Sequence, residues 1–338
     1  MRPLLDAAAR DEDEHIARNG PLPWQRTPGA LIGALQEAGL TGRGGANFPT
    51  WRKLARTSVT DRPVVIANAA EGEPASNKDK VLFAHCPHLV LDGLQLAAEA
   101  VGASKVYLYG PKGTVVPQRK SDRFPIVYVE APDTFTAGES SAVMAAVEGR
   151  KPRPRDASRD DMLVQNVETL ARIAQIARYG PRWFRQHDTF LATISGAVRR
   201  PGVYEVDRTV AVHRLLDLAG GIEPTRAVLV GGYHGTWLKP DDVIADPGAG
   251  VAIALHGNES GLQKTAGIVR YLASQSTKQC GPCRFGLPAL ADAVAQRNLP
   301  QAARLAGLVD GRGACHHPDG VARLVRSSID AFEEEWLR

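Results

Sequence analysis

Gly42, Gly44 and Gly45 place three glycines within four positions, and the segment they open (Gly42-Arg43-Gly44-Gly45-Ala46-Asn47-Phe48-Pro49-Thr50-Trp51-Arg52-Lys53) cannot run through the interior of a helix or a strand. It must be a connection, and the patterns on either side make it a connection between two helices. Before it, 28–39 places Leu31, Ile32, Leu35 and Ala38 on one face and stops at a glycine. After it, Pro49 suits the first turn of a helix that continues through Trp51, Lys53 and Leu54. A helix that starts behind a glycine loop turns free N–H groups and the positive end of its dipole toward an anion, most often a phosphate. Lys53, about one turn further in, would add a point charge. The run matches neither G-x-G-x-x-G nor the phosphate-loop consensus. Two readings therefore stand, a nucleotide- or flavin-phosphate cradle and a plain glycine-rich turn.

The next segments extend the constraint to an architecture. The run 64–67 is short, apolar and β-branched, and it ends in Asn68-Ala69-Ala70-Glu71-Gly72-Glu73-Pro74. Polar residues thus crowd the carboxyl end of a buried strand, the edge where open α/β sheets bind ligands. Helical spacing follows at 87–102, strands at 105–109 and 125–130, and helical spacing again at 138–149 and 166–179. This alternation predicts an α/β layer structure over roughly the first 185 residues. From Thr189 the texture changes to short strands at 189–196, 203–206, 228–231 and 251–254 with one helix at 212–219, a small α+β module. Beyond Leu262 the apolar stripes are helical: Ile268, Tyr271 and Leu272; Leu287, Leu290 and Val294; Val321, Leu324, Val325 and Ile329.

Composition excludes several classes. A net charge of +4 on 338 residues gives a nucleic-acid role no support. No apolar run approaches the ~20 residues of a membrane span, and the mixed-charge start has no apolar core of the signal-peptide kind. The proline-broken basic segment 150–155 is a solvated loop or a docking patch for an acidic partner or a phosphate. The cysteines do not form a disulfide framework: Cys86 stands alone, Cys280 and Cys283 are a pair, and Cys315 precedes His316 and His317. A reducing cytoplasm follows. Three thiolates and an imidazole suit a zinc site, an iron–sulfur cluster with one unusual ligand, or a redox pair without the thioredoxin context. The fourth reading is unliganded thiols. Cys86 reads as a small buried apolar residue and receives no role.

At these positions the chain resembles the flavin-carrying, NADH-oxidising subunit of bacterial respiratory complex I, a family shared with the diaphorase subunits of soluble hydrogenases and formate dehydrogenases. The likeness runs from about Leu31 almost to the C-terminus. The glycine loop from Gly42 to Lys53 resembles that family's own. Residues 68–74 are similar to its Asn-Ala-Asp-Glu-x-Glu-Pro, and Lys78-Asp79 to the Lys-Asp that follows. Gly138-Glu139-Ser140-Ser141-Ala142 resembles Gly-Glu-Glu-Thr-Ala, and Gln165-Asn166-Val167-Glu168-Thr169 resembles Asn-Asn-Val-Glu-Thr. Ile194-Ser195-Gly196, with Arg200-Pro201-Gly202-Val203-Tyr204, is similar to a soluble-ligand-binding β-grasp module.

The resemblance implies an α/β FMN-binding domain with Rossmann-like layers over 1–186, an SLBB-type β-grasp α+β domain over 187–260 and a helical iron–sulfur-binding bundle over 261–338. It implies FMN at Gly42, Arg43, Gly44, Gly45, Lys53, Asn68, Gly138, Glu139, Asn166 and Thr169, and NADH or NADPH positioned by Phe48, Glu71 and Glu73. A 4Fe–4S or 3Fe–4S cluster would sit on Cys280, Cys283 and Cys315. No side chain need act as general acid or base, because the flavin carries the chemistry. The implied setting is a multi-subunit redox complex with a ferredoxin or iron–sulfur subunit downstream, cytoplasmic or peripheral to a membrane complex.

The departures are specific. The first cysteine of the family's Cys-x2-Cys-x2-Cys is Thr277, which leaves the fourth ligand to Thr277, His316, His317 or water. Ala70 replaces a flavin-contacting aspartate, Ser140 a glutamate and Phe135 a tyrosine, while the loop after Arg150 is shortened and lacks an aromatic. Most of these losses fall on the dinucleotide side. Two further expectations follow: an electron relay that no longer binds nicotinamide, and a non-redox scaffold with a structural metal.

Overall fold

The computed structural model describes residues 4–9, 11–24, 27, 29–155 and 159–337. Helices α1 (Glu12–Asn19), α2 (Ala30–Ala38) and α3 (Thr50–Thr57) precede the first strand, β1 (Val64–Asn68). Two helices that meet at Cys86, α4 (Lys78–His85) and α5 (Pro87–Val101), lead to β2 (Lys105–Pro111) and β3 (Ile126–Ala131). Then come α6 (Ser140–Val147), β4 (Met162–Asn166), α7 (Val167–Tyr179) and α8 (Pro181–Gln186). The expected alternation is present; α1, α4, α8 and β4 were not anticipated. Pro28, expected to open α2, lies outside the described residues, and Gly29 caps that helix in the left-handed region.

The first sheet is wholly parallel in the order β3-β2-β1-β4. Parallel strands covered on both faces read as continuous apolar runs, as Val65, Ile66 and Ala67 do. The chain winds outward from β1 through β2 to β3, then returns to place β4 on the other side of β1. The order thus reverses between β1 and β4, and a crevice opens at their carboxyl ends. Asn68 and Asn166 are register partners there. Behind the sheet α5 and α7 pack backbone to backbone: a Cβ on Gly93 would fall 1.8 Å from the Leu170 carbonyl oxygen.

The second sheet, ordered β6-β5-β9-β7-β8, combines β5 (Thr189–Gly196), β6 (Gly202–Asp207), β7 (Thr225–Val230), β8 (Thr236–Leu238) and β9 (Val251–His256). Helix α9 (Val212–Ala219) covers one face through Leu215, Leu216 and Ala219. The other face, with Leu229, Trp237, Val251 and Ile253, shares one apolar core with the helices that follow. Those are α10 (Gly261–Ser274), α11 (Leu287–Ala295), α12 (Leu299–Val309), α13 (His317–Ala331) and α14 (Glu333–Trp336). Among the described residues no single helix is long and apolar enough to cross a membrane. Cys86 is buried in the first core, its thiol pushed up to about 12 by burial.

Candidate functional site

The crevice between β1 and β4 is lined by groups that hold one another in place. Asn68 donates from Nδ2 to the Gly138 carbonyl (2.9 Å) and accepts the Ala70 N–H on Oδ1 (3.2 Å). That draws the turn before α6 down onto the strand end, where only a glycine fits at 138, since a Cβ there would lie 2.8 Å from the Ala70 oxygen. Glu139 caps α6, accepting from the N–H groups of Ser141 (2.9 Å) and Ala142 (3.2 Å). Asn166 caps α7 through the Glu168 N–H (3.0 Å) and donates to Asp79 Oδ2 (2.6 Å). Beneath it Lys78 is buried between Asp79 (2.6 Å) and Glu168 (3.1 Å); burial opposes its charge, and the two carboxylates more than restore it.

The glycine loop lies over this floor, with Gly44 beside Asn166: a Cβ on it would stand 3.4 Å from that residue's Cβ. The loop closes on itself through the Gly42 N–H to the Phe48 carbonyl (2.9 Å). Thr169, expected to touch the ligand, instead accepts the Arg43 N–H (2.9 Å) and so anchors the loop. The Arg43 side chain turns inward to Asp188 and is buried, so it too is an anchor. Among the described residues no protein acceptor takes the N–H of Gly44, Gly45 or Ala46. Helix α3 begins at Thr50, one residue later than expected. Burial depresses the Lys53 ammonium, which Glu139 partly restores. Its Nζ lies 5.9 Å from the centre of the Phe48 ring, and no ion pair satisfies it among the described residues. A desolvated, unpaired cation beside free amides is an arrangement that an anion completes.

The acidic pair behaves differently from expectation. Glu71 accepts from the N–H groups of Asp79 (3.1 Å) and Lys80 (3.2 Å) and from the Ser76 hydroxyl, so it caps α4. Glu73 accepts the Tyr233 N–H (2.8 Å) of the second sheet's unit and the Ala75 N–H (3.2 Å). Burial raises its carboxyl to about 7. Both carboxylates hold the protein together rather than standing free toward a ribose.

The thiols converge where the helical unit meets α6. Cys280-Gly281-Pro282-Cys283 leads into a helical turn rather than a reverse turn. The Arg284 N–H reaches the Cys280 carbonyl (2.9 Å), and residues Pro282–Gly286 form a π-helical turn. Positions three apart on a helical turn share a face. Burial raises the Cys283 thiol to about 12, and Cys280 and Cys315 push the same way. Cys315 is raised by burial, against the pull of the His317 N–H aimed at its sulfur. A cationic centre beside Cys283 and Cys315 would favour their thiolate forms. Among the described residues no three His, Cys, Asp or Glu converge on a single ion.

The histidines are corrected by their surroundings. His317 is buried, with Nδ1 3.1 Å from His234 Nε2 and Nε2 2.9 Å from the Leu272 carbonyl. Both ring nitrogens are engaged away from the thiols, so it is not the fourth ligand. His316 lies on the surface with its side chain 98% exposed, beside Asp319 (2.8 Å). Thr277 accepts from Gln279 Nε2 (2.8 Å), and that same amide nitrogen donates to the Pro154 carbonyl (2.9 Å), which ties the basic segment to the cysteine loop.

Glu139 joins the two halves: its charge acts on Lys53 in the glycine loop's helix and on Cys315 among the thiols. Asp188, Arg208 and Asp246, which brace the glycine loop, carried no signal in the sequence, because each lies at least 145 positions from its partner. The Lys78–Asp79–Glu168 cluster left one only through resemblance, since Lys78-Asp79 and Glu168 fall in segments similar to the family's motifs.

Comparison with known proteins finds the same two halves. Residues 35–175 match the Nuo51 FMN-binding domain, and residues 263–338 match the NADH-ubiquinone oxidoreductase-F iron–sulfur binding region. Similar relatives include the NADH-quinone oxidoreductase F 2 subunit of Rhizobium meliloti (strain 1021), 25% identical over 92% of this chain and 89% of that protein. Another is the NADH-quinone oxidoreductase F subunit of Streptomyces coelicolor, 28% identical over 91% of this chain and 82% of that protein. Among solved structures, a chain of an NAD+-reducing [NiFe]-hydrogenase in the H2-reduced state superposes with a TM-score of 0.88 at 27% identity. The superposition covers 99% of this chain and 66% of that one, so this chain spans slightly under two thirds of the hydrogenase chain's length.

Proposed function

We propose that this chain, a member of the family of NADH-quinone oxidoreductase F flavoprotein subunits, oxidises NADH or NADPH through bound FMN and passes the electrons singly to an iron–sulfur centre. The residues fit both groups. Lys53 and the free amides of Gly44 and Gly45 are suited to hold the FMN phosphate, and Cys280, Cys283 and Cys315 are suited to hold iron. When bound, the flavin accepts two electrons with a hydride and the cluster removes them one at a time. The chain's own part is placement. Asn68 and Asn166 set the crevice floor, Glu139 fixes the start of α6 between flavin side and thiol side, and Phe48 offers a ring at the rim. The observation that carries the reading is Glu139, close enough to act on Lys53 and on Cys315 alike. A flavin held at Lys53 and a cluster held at Cys315 would then lie on either side of one carboxylate.

The acceptor is an acidic ferredoxin-like protein. Segments 150–155, 277–286 and 311–315 carry seven Lys or Arg and no Asp or Glu, and Phe285, 69% exposed, stands two residues from Cys283. We read the five-stranded unit as an SLBB-type β-grasp domain over 187–260, between an FMN-binding domain over 1–186 and an iron–sulfur bundle over 261–338, in a cytoplasmic or membrane-peripheral complex. Thr277 and His316 are the remaining protein candidates for the cluster's fourth ligand.

A second reading, an electron relay that bypasses nicotinamide, is favoured by the commitment of Glu71 and Glu73 to internal hydrogen bonds. One experiment separates the two. The protein is purified without oxygen, its iron and acid-labile sulfide are assayed, and its visible spectrum is recorded before and after NADH or NADPH. Flavin bands that bleach with either nucleotide support the oxidoreductase. Bands that yield only to dithionite support the relay, and a colourless zinc protein overturns both.

A further inference from the structure

The cradle has a back as well as a front, and the back belongs to another part of the chain. We infer that Arg208 and Asp246, in the unit of the second sheet, are positioning residues for the FMN-binding loop and act through Asn47. The inference rests on the flavin reading. Asn47 holds a φ of 53°, in the left-handed region that asparagine tolerates better than most residues. Its side chain is held from several sides. Oδ1 accepts from the Thr41 hydroxyl (2.6 Å) and from Arg208 Nη2 (2.7 Å), while Nδ2 lies 3.4 Å from Asp246 Oδ1. Asp246 is itself fixed by the Gly248 N–H (3.0 Å). Beside Asn47, Gly45 has a φ of 100°, and a Cβ there would rest 3.7 Å from the backbone of Gly248 and Ala249. The hollow left between Arg43, Lys78, Arg208 and Gly248 is only about 10 Å³, room for one water, so the loop cannot sink backward.

Arg208 and Asn47 are 161 residues apart. The contact is therefore one between units, and it is made to the residue that turns the loop. Without it Asn47 is free to leave the left-handed region, and the amides of Gly44 and Gly45 lose their fixed spacing. The expected effect is on how long FMN stays, since preorganisation acts mainly on dissociation.

The test uses the full chain stripped of flavin and titrated with FMN, following flavin fluorescence and the release rate on dilution. Arg208→Ala weakens FMN binding about tenfold, chiefly through faster release, and Arg208→Lys recovers most of it because an ammonium still reaches the Asn47 oxygen. Asn47→Gly keeps the turn and loses the clamp, so it matches Arg208→Ala, and the double variant is no worse than either single one. The thermal midpoint of the flavin-free Asn47→Gly variant stays at the wild-type value, which separates positioning from folding. Wild-type FMN affinity in Arg208→Ala, or additive losses in the double variant, overturns the inference. Failure of the wild-type chain to bind FMN overturns the flavin reading itself.

Discussion

The glycine loop and the cysteine loop are both short, irregular and placed at a helix start, yet they are built on opposite plans. The glycine loop is braced by Thr169 below, Asp188 to one side and Arg208 behind, and among the described residues it leaves Lys53 of the following helix without an ion pair. The cysteine loop leans on itself. Ser276 reaches the Cys283 carbonyl (3.4 Å), the Arg284 N–H closes on Cys280, and Gln279 makes one outside contact with Pro154. Burial holds the Cys283 thiol, and Cys315 beside it, toward the neutral form, which a metal centre would reverse. One site is formed by the polypeptide in advance of its ligand, and the other is finished by its ligand.

The most direct way to break that contrast is Cys283→Ser. Iron and acid-labile sulfide should fall to background while FMN remains at the wild-type stoichiometry; loss of both together would show that the two regions form as one. Next in size is Lys53→Met, which keeps the alkyl chain over Phe48 and removes the charge. FMN affinity should drop at least tenfold, about 1.4 kcal/mol, with iron content untouched, as fluorescence titration and metal analysis would report.

A smaller effect separates the units by pH. Glu73 has its carboxyl raised by burial to about 7, so the folded state holds a proton that the unfolded chain releases near 4.5. Its contribution is full below pH 4.5 and is lost as pH rises through 7. Glu73→Gln, which cannot ionise, should flatten that part of the profile, raising the unfolding midpoint relative to wild type by a few degrees more at pH 8 than at pH 5. Smallest is Ser141→Ala. It removes the hydroxyl that accepts the Arg155 N–H (2.7 Å) and frees the basic segment from α6. A cost of about 1 kcal/mol in thermal or denaturant unfolding is expected, with flavin and iron contents unchanged.

What could be read in advance follows the range of the interactions. The α/β layers were legible because apolar runs such as β1 alternate with helical spacing, and Asn166 because a helix cap announces itself within three residues. β4 escaped notice because its five residues run straight into α7 without a turn. The pairing of Cys280 with Cys283 was local and legible; the diversion of His317 to His234, 83 positions away, was not. Glu71 looked free for a ribose because its helix-capping role is made by residues five to nine positions ahead. Local chemistry wrote the ends of elements, and long-range contacts decided which polar groups were left over.

Gly93 shows how far from the crevice such decisions reach. Because α5 and α7 touch main chain to main chain at Leu170, even one methyl group at 93 would act as a wedge at the root of the helix whose first turn carries Thr169. The spacing of a loop anchored one residue away, at Thr169, is thus gauged by a missing side chain.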